Sequence, residues 1–148
     1  MLDLAAGGGR HSVYLSSLGY QVEAVDRDVS ALRSIPGITV READLENGPW
    51  PYAGWQFNGI VVTNYLHRPL FSSLIDALAP GGVLIYETFM AGNERYGRPS
   101  NPDFLLRSNE LLLTFGGMEV LGFEQGYTVD PKPAMVQRIC VRKPVPAS

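Results

Sequence analysis

Three consecutive glycines, Gly7-Gly8-Gly9, follow the short apolar run at residues 1–5 and lead into Arg10-His11-Ser12. Glycine in such a place lets backbone N–H groups approach a ligand closely. If a helix starts there, its free donors and dipole favour a polar or anionic group. Asp26 stands 19 residues after Gly7, at the end of the next β-branched-rich run. In a doubly wound sheet those two strand ends lie side by side, and a carboxylate there accepts hydrogen bonds from both ribose hydroxyls of a nucleoside resting on the loop.

This pattern alone is compatible with a dinucleotide fingerprint, with Ser12 in the place of the third glycine. Other features discriminate. Asp3 lies inside the first strand, upstream of the glycines, where a dinucleotide site calls for no acid but a carboxylate can meet a ligand ammonium through water or the loop backbone. Asp44, after the third strand, is placed to hydrogen-bond the exocyclic amine of an adenine. Pro80-Gly81-Gly82 precedes the fifth strand, and the chain closes with two strands that have no helix between them.

The elements that must hold these groups follow from apolar period. Residues 1–5 read as a strand end and residues 10–18 as a helix with Val13, Tyr14 and Leu18 at helical spacing, stopped by Gly19. A strand at 20–26, a short helix at 29–33 and a strand at 38–41 come next. The Pro-, Gly- and aromatic-rich stretch 46–56 reads as loop, with Trp50, Tyr52 and Trp55 either walling a site or tying the loop down. Residues 57–63 form a buried strand. Leu70, Phe71, Leu74, Ile75 and Leu78 then mark a helix with one face to bury.

Pro80-Gly81-Gly82 turns into a strand at 83–88 that is apolar on both faces, as covered parallel strands are. A loop from about 89 to 103 precedes a helix near 108–115 and strands near 118–123 and 135–142. Strands alternating with helices predict an α/β domain with a mainly parallel sheet. The last two strands, joined only through Asp130-Pro131-Lys132-Pro133, pair most simply antiparallel, because a parallel crossover needs a dozen or more residues.

Composition narrows the function. The 148 residues suit a single domain, 1–148, and need no staple, since a chain of this length buries roughly 68–70% of its unfolded surface. One cysteine, Cys140, and two histidines, His11 and His67, exclude a disulfide framework and any closed Cys/His zinc site within the chain, so no metal is expected. A net charge of −3 argues against a protein devoted to nucleic-acid backbones. Apolar runs are short and no signal-peptide pattern opens the chain, so a cytoplasmic protein without membrane association is expected.

These residues together resemble the class I S-adenosylmethionine-dependent methyltransferase family, and the resemblance covers essentially the whole chain. Residues 2–9 look like its first motif, Val25-Asp26 like its ribose-binding acid, Ala43-Asp44-Leu45 like its adenine-contact motif, and Leu78-Ala79-Pro80-Gly81-Gly82 like its turn into strand five. Within the family, the sequence looks most like small bacterial tellurite-resistance-like or thiol-type methyltransferases.

The resemblance implies a Rossmann-like, doubly wound, seven-stranded sheet in the order 3-2-1-4-5-7-6 with strand seven antiparallel. It also implies S-adenosylmethionine as cofactor, held by Asp3, Ala5, Gly7, Gly9, Asp26, Arg27, Asp44, Leu45 and Asn64. Two departures stand out. Ala5 occupies a first-motif position usually held by glycine, which adds a methyl near the methionine pocket. The chain also opens inside the first strand, where family members have a preceding helix, so the chain is expected to be N-terminally truncated relative to the family, with sheet surface that self-association would cover.

Methyl transfer from a sulfonium is an in-line displacement in which the protein chiefly aligns the acceptor and excludes water. The family places its acceptor over the ends of strands four and five. Here that points to Tyr65 and to His67, which would remove a proton from a hydroxyl or amine. Arg95 and Arg98 flank Tyr96 in the long loop, a combination suited to an anionic or aromatic small-molecule acceptor. Loops of that length often act as lids. Two competing functions are a non-catalytic nucleoside-binding module or remnant acting with a partner, and a nicotinamide dehydrogenase, which lacks a second domain for its substrate.

Overall fold

The computed structural model describes residues 1–147. Seven strands form one sheet in the order β3-β2-β1-β4-β5-β7-β6. They are β1 (Leu2–Leu4), β2 (Val22–Asp26), β3 (Ile38–Glu42), β4 (Phe57–Thr63), β5 (Leu78–Phe89), β6 (Glu119–Thr128) and β7 (Ala134–Arg142). Neighbours among β1 to β5 run parallel, and β7 is antiparallel to both β5 and β6. The expected order and the reversed last strand are both present. Three helices, α1 (Arg10–Ser17), α2 (Phe71–Ala77) and α3 (Glu110–Phe115), complete the frame.

Alternation along the strands decides which face each helix covers. Leu2, Leu4, Val25, Ile60, Val62, Leu84, Tyr86, Ile139 and Val141 point to one side and form a continuous core with Leu74 of α2 and Leu111 and Phe115 of α3. Each such fully buried side chain contributes on the order of 1.5–3 kcal/mol. The opposite face is covered in patches. Leu15 of α1 packs on Val22 and Val61, while Val29 and Leu32 pack on Ala24. On the same face beyond Val61, Ile85 is exposed, and next to it Arg138 pairs with Glu87 at 3.3 Å and Glu124 at 3.2 Å.

Four expectations from the sequence need correction. The short helix at 29–33 is a single 3-10 turn at Leu32–Ser34, stopped by extended Ile35 before Pro36. The helix expected to carry Leu78 ends at Ala77. Leu78 is extended and opens β5 opposite Phe57, because Pro80 disfavours helix before it and the Lys143 ammonium donates to the freed carbonyls of Ile75 and Leu78.

Strand β6 runs to Thr128 rather than to about 123, since β7 offers partners as far back as Ala134. The long connection after β5 is also no free flap. Asn93 is buried, accepts from the Met135 N–H and donates to the Pro99 carbonyl, while Met90 and Leu106 bridge in parallel.

Candidate functional site

Order reverses between β1 and β4, and in open α/β sheets such a reversal leaves a crevice outside the carboxyl ends of the strands. The chemistry-bearing residues gather there. β1 ends at Leu4, and the chain then turns sharply, with Ala5 at φ 54°, Gly7 at φ 58° and Gly9 at φ 85° before α1 begins. Each angle lies in the left-handed region that glycine tolerates, so Ala5 holds a conformation costing an L-residue roughly 1–2 kcal/mol.

The glycines differ in duty. A Cβ on Gly9 would collide with Ile35 and Leu32, so this one is needed for packing the loop against the segment after β2. A Cβ on Gly7 or Gly8 would meet nothing within 4 Å, which leaves the backbone there open to a ligand.

Carboxylates tie this turn to its neighbours. The Gly7 N–H donates to Asp26 Oδ2 at 2.8 Å and the Asp28 N–H to Oδ1 at 3.0 Å, so Asp26 stands at the end of β2 with spare acceptor capacity on both oxygens. Asp44 accepts from the N–H groups of Glu46 (3.0 Å) and Asn47 (3.1 Å) and from the Asn47 amide (3.2 Å). The bonds from the Glu46 and Asn47 amides hold its carboxyl below the ordinary value.

Asp3 is buried and accepts from the Ser12 hydroxyl at 2.7 Å. Burial pushes its carboxyl up, with the Ser12 hydrogen bond opposing. It belongs to β1 and ties that strand to α1 through Ser12. Arg10 and His11 meet each other at 3.0 Å at the head of α1.

An open cavity of about 110 Å³ sits over these strand ends, lined by Ala5, Asp26, Arg27, Ala43, Asp44, Leu45, Glu46 and Tyr65. Of the expected cofactor residues, Ala5, Asp26, Arg27, Asp44 and Leu45 meet in it, and Gly7 joins through its bond to Asp26. Asp3 and Gly9 lie behind the turn. Asn64, at φ 55° past the end of β4, lines a second cavity instead.

That second cavity, of about 310 Å³, is lined by Glu46, Asn64, Tyr65, Leu66, Thr88, Phe89, Pro99 and Phe104. Glu46 and Tyr65 belong to both, so the two cavities adjoin. The Tyr86 hydroxyl donates to the Tyr65 carbonyl at 2.7 Å and fixes the backbone at the junction. Burial, then the neighbouring Glu46 carboxylate, pushes the Tyr65 phenol up. His67 does not line the cavity, but its Nδ1 lies 3.7 Å from Glu46 Oε1.

Arg95, Tyr96 and Arg98 are exposed and outside the lining, and Tyr96 packs against Tyr127 of β6 at 5.2 Å between centroids. The aromatics of the 46–56 stretch are not in the crevice either. Tyr52 is buried and donates to Glu23, and Trp55 stacks on Phe57 near the amino-terminal strand ends, tying that loop down.

Three contributors carried no expectation from the sequence. Glu46 stands two residues past Asp44, and an Asp whose side chain accepts from the amides two and three residues on is a recognisable turn that orients the next side chains. Phe104 reaches the cavity only because the long connection folds back. Arg68 fastens that fold: it pairs with Glu110 at 2.6 and 2.9 Å and donates to the carbonyls of Asp103 (3.3 Å) and Leu105 (2.9 Å). Burial acts to raise the Glu110 carboxyl, but the Arg68 hydrogen bond with the Arg107 amide more than offsets it and holds the group below its ordinary value.

Residues 1–47 match the family model described as Tellurite resistance protein TehB. No curated protein sequence matches the chain. Solved structures share its fold. TehB from Haemophilus influenzae superimposes at a TM-score of 0.74 with 20% identity, covering 96% of this chain and 57% of that one, so the chain spans little more than half of it. An S-adenosylmethionine-dependent methyltransferase from Mesorhizobium loti gives 0.73 at 17% identity over 96% and 89%. A Burkholderia thailandensis 1,6-didemethyltoxoflavin-N1-methyltransferase, bound to 1,6-didemethyltoxoflavin and S-adenosylhomocysteine, gives 0.69 at 16% identity over 97% and 70%.

Proposed function

From a chain with the fold of class I S-adenosylmethionine-dependent methyltransferases, whose first 47 residues also carry the tellurite-resistance pattern, we propose methyl transfer from S-adenosylmethionine to a small-molecule acceptor. The observation that carries this reading is the pair of adjoining cavities at the order reversal, one edged by Asp26, Asp44 and the open glycine turn, the other walled by Leu66, Phe89 and Phe104. The donor set of the first fits a nucleoside. Asp26 has spare lone pairs on both oxygens for ribose hydroxyls, Asp44 is locked in place by three donors, and the backbone at Gly7 and Gly8 stands open.

When bound, the cofactor supplies an electrophilic methyl on a sulfonium. The chain supplies alignment. Asp26 and Asp44 fix the nucleoside end, and Ala5 bounds the space beside the turn. Tyr65 stands where the two cavities meet and Asn64 lines the acceptor cavity, whose apolar walls at Leu66, Phe89 and Phe104 would align the acceptor. His67, 3.7 Å from Glu46, is placed to pass a proton outward. Arg95, Tyr96 and Arg98 line neither cavity. Among the described residues no helix is long and apolar enough to cross a membrane.

Calorimetric titration tests the reading. S-adenosylmethionine and S-adenosylhomocysteine are expected to bind one site per chain while NAD does not. A cooperatively folded protein that binds neither sulfur nucleoside rejects it. Binding without turnover across a broad acceptor panel favours instead a nucleoside-binding module.

A further inference from the structure

The acceptor cavity has one charged side chain in its lining, Glu46. The remaining walls are apolar or aromatic at Leu66, Phe89, Pro99 and Phe104, with Asn64, Tyr65 and Thr88 as uncharged polar groups. Glu46 also edges the nucleoside cavity, so its carboxylate stands where the two meet. Its backbone is fixed by the 3.0 Å bond from its N–H to Asp44, and its side chain faces His67 at 3.7 Å and the Tyr65 phenol. Asp26 and Asp44 line the adjoining space, so the local field at the junction is negative, with Arg27 the only basic side chain in either lining. The arginines of the long loop, Arg95 and Arg98, lie outside.

Such a cavity disfavours an anionic acceptor, which would lose its hydration against like charge. It suits a cation with a compact apolar body, whose charge meets Glu46 and whose body meets the rings. Resting on the methyltransferase reading above, we propose that the acceptor is an amine bearing a compact aromatic or alkyl group, and that Glu46 both selects its ammonium form and receives the proton it must lose.

The chemistry balances. The bound ammonium gives one proton to the Glu46 carboxylate, and His67 is the next acceptor on the way to solvent. The freed nitrogen lone pair attacks the sulfonium methyl. The N–C bond forms as the C–S bond breaks, and that electron pair stays on sulfur as a thioether. The product is a methylammonium, again a cation opposite Glu46, and one proton has been released.

Calorimetry at saturating S-adenosylhomocysteine separates the outcomes, with phenethylamine, 2-phenylethanol and 3-phenylpropionate as probes of one shape and three charges. The amine is expected to bind at least about tenfold tighter than the alcohol, with the carboxylate weakest. Glu46→Gln is expected to bring the amine to within about threefold of the alcohol. Phe104→Ala should weaken all three and keep their ranking. Both side chains are about half exposed, so the variants are expected to fold, and thermal melting checks this.

An amine bound no tighter than the alcohol, a preference that survives Glu46→Gln, or binding by none of the three overturns the proposal. Failure of S-adenosylhomocysteine itself to bind the wild-type chain removes the methyltransferase reading and this proposal with it, and so is distinguishable from a failure of acceptor class alone.

Discussion

The cavity over Ala5 and Asp26 and the cavity beside Phe104 share two residues and one end of the sheet, yet they are assembled differently. The first is made of turns that directly follow β1, β2 and β3, and its polar groups are fixed by bonds that reach no further than the neighbouring strand: Gly7 to Asp26, 19 residues on, and Glu46 and Asn47 to Asp44, two and three residues back. The second takes its walls from the ends of β4 and β5 and from a connection that must be folded back by Arg68 and Asn93 before Phe104 reaches it. The difference teaches where tolerance lies. The first site is specified locally and can survive much change elsewhere, whereas the second depends on a few long-range anchors and can be remodelled by altering them.

The sharpest way to break the comparison is at Asp26. Asp26→Ala removes a charged acceptor that also holds the Gly7 amide, and two charge-assisted hydrogen bonds to a ribose would go with it. S-adenosylhomocysteine affinity measured by calorimetry is expected to fall by about 100-fold, or about 2.7 kcal/mol. A loss under about threefold would show that this cavity is not where the nucleoside is held.

Arg68 tests the other side. Arg68→Ala leaves Glu110 without its partner and frees the carbonyls of Asp103 and Leu105, and urea unfolding at neutral pH is expected to show a loss of about 2 kcal/mol. The pH dependence has a definite sign. Glu110 is held below its ordinary value of 4.5 in the folded chain, so its contribution is present above that pH and fades as pH falls through the lower folded value. The stability gap between wild type and variant should therefore narrow in acid. A gap that stays constant to low pH would show that Arg68 acts through the two carbonyls alone.

The smallest effect sharpens the local side. Ala5→Gly relieves a left-handed alanine at φ 54°, offset in part by the greater freedom of glycine when unfolded, and should raise stability by up to about 1 kcal/mol in the same assay. It also removes the methyl that Ala5 contributes to the cavity lining. Tighter S-adenosylhomocysteine binding in this variant would show that the methyl narrows the site, and weaker binding would show that it makes a contact.

Much of this was legible because it is written in short-range pattern. Alternation and helical period placed every strand and all three helices, and the absence of a helical pattern between residues 123 and 135 was enough to reverse β7. Misreadings fell where a nearby proline or a distant group intervened. Leu78 has the spacing of a helical residue, but Pro80 on one side and the Lys143 ammonium on the other turn it into strand. Val29 and Leu32 have helical spacing too, yet the Asp28 side chain takes the Ser30 amide in a tight turn and Ile35 is extended before Pro36, which leaves one 3-10 turn.

By itself, then, the sequence determined the strand-and-helix alternation, the antiparallel last pair and the carboxylate-edged glycine turn, because these rest on periodicity, glycine conformation and the spacing of strand ends, while the sheet order followed from the family resemblance. Only the tertiary structure decided that Glu46 faces two cavities, that Arg95 and Arg98 face neither, and that Asn93 and Arg68 hold the long connection down. Those outcomes depend on contacts between residues dozens of positions apart, such as Asn93 with Met135 and Arg68 with Glu110, and no local preference encodes them.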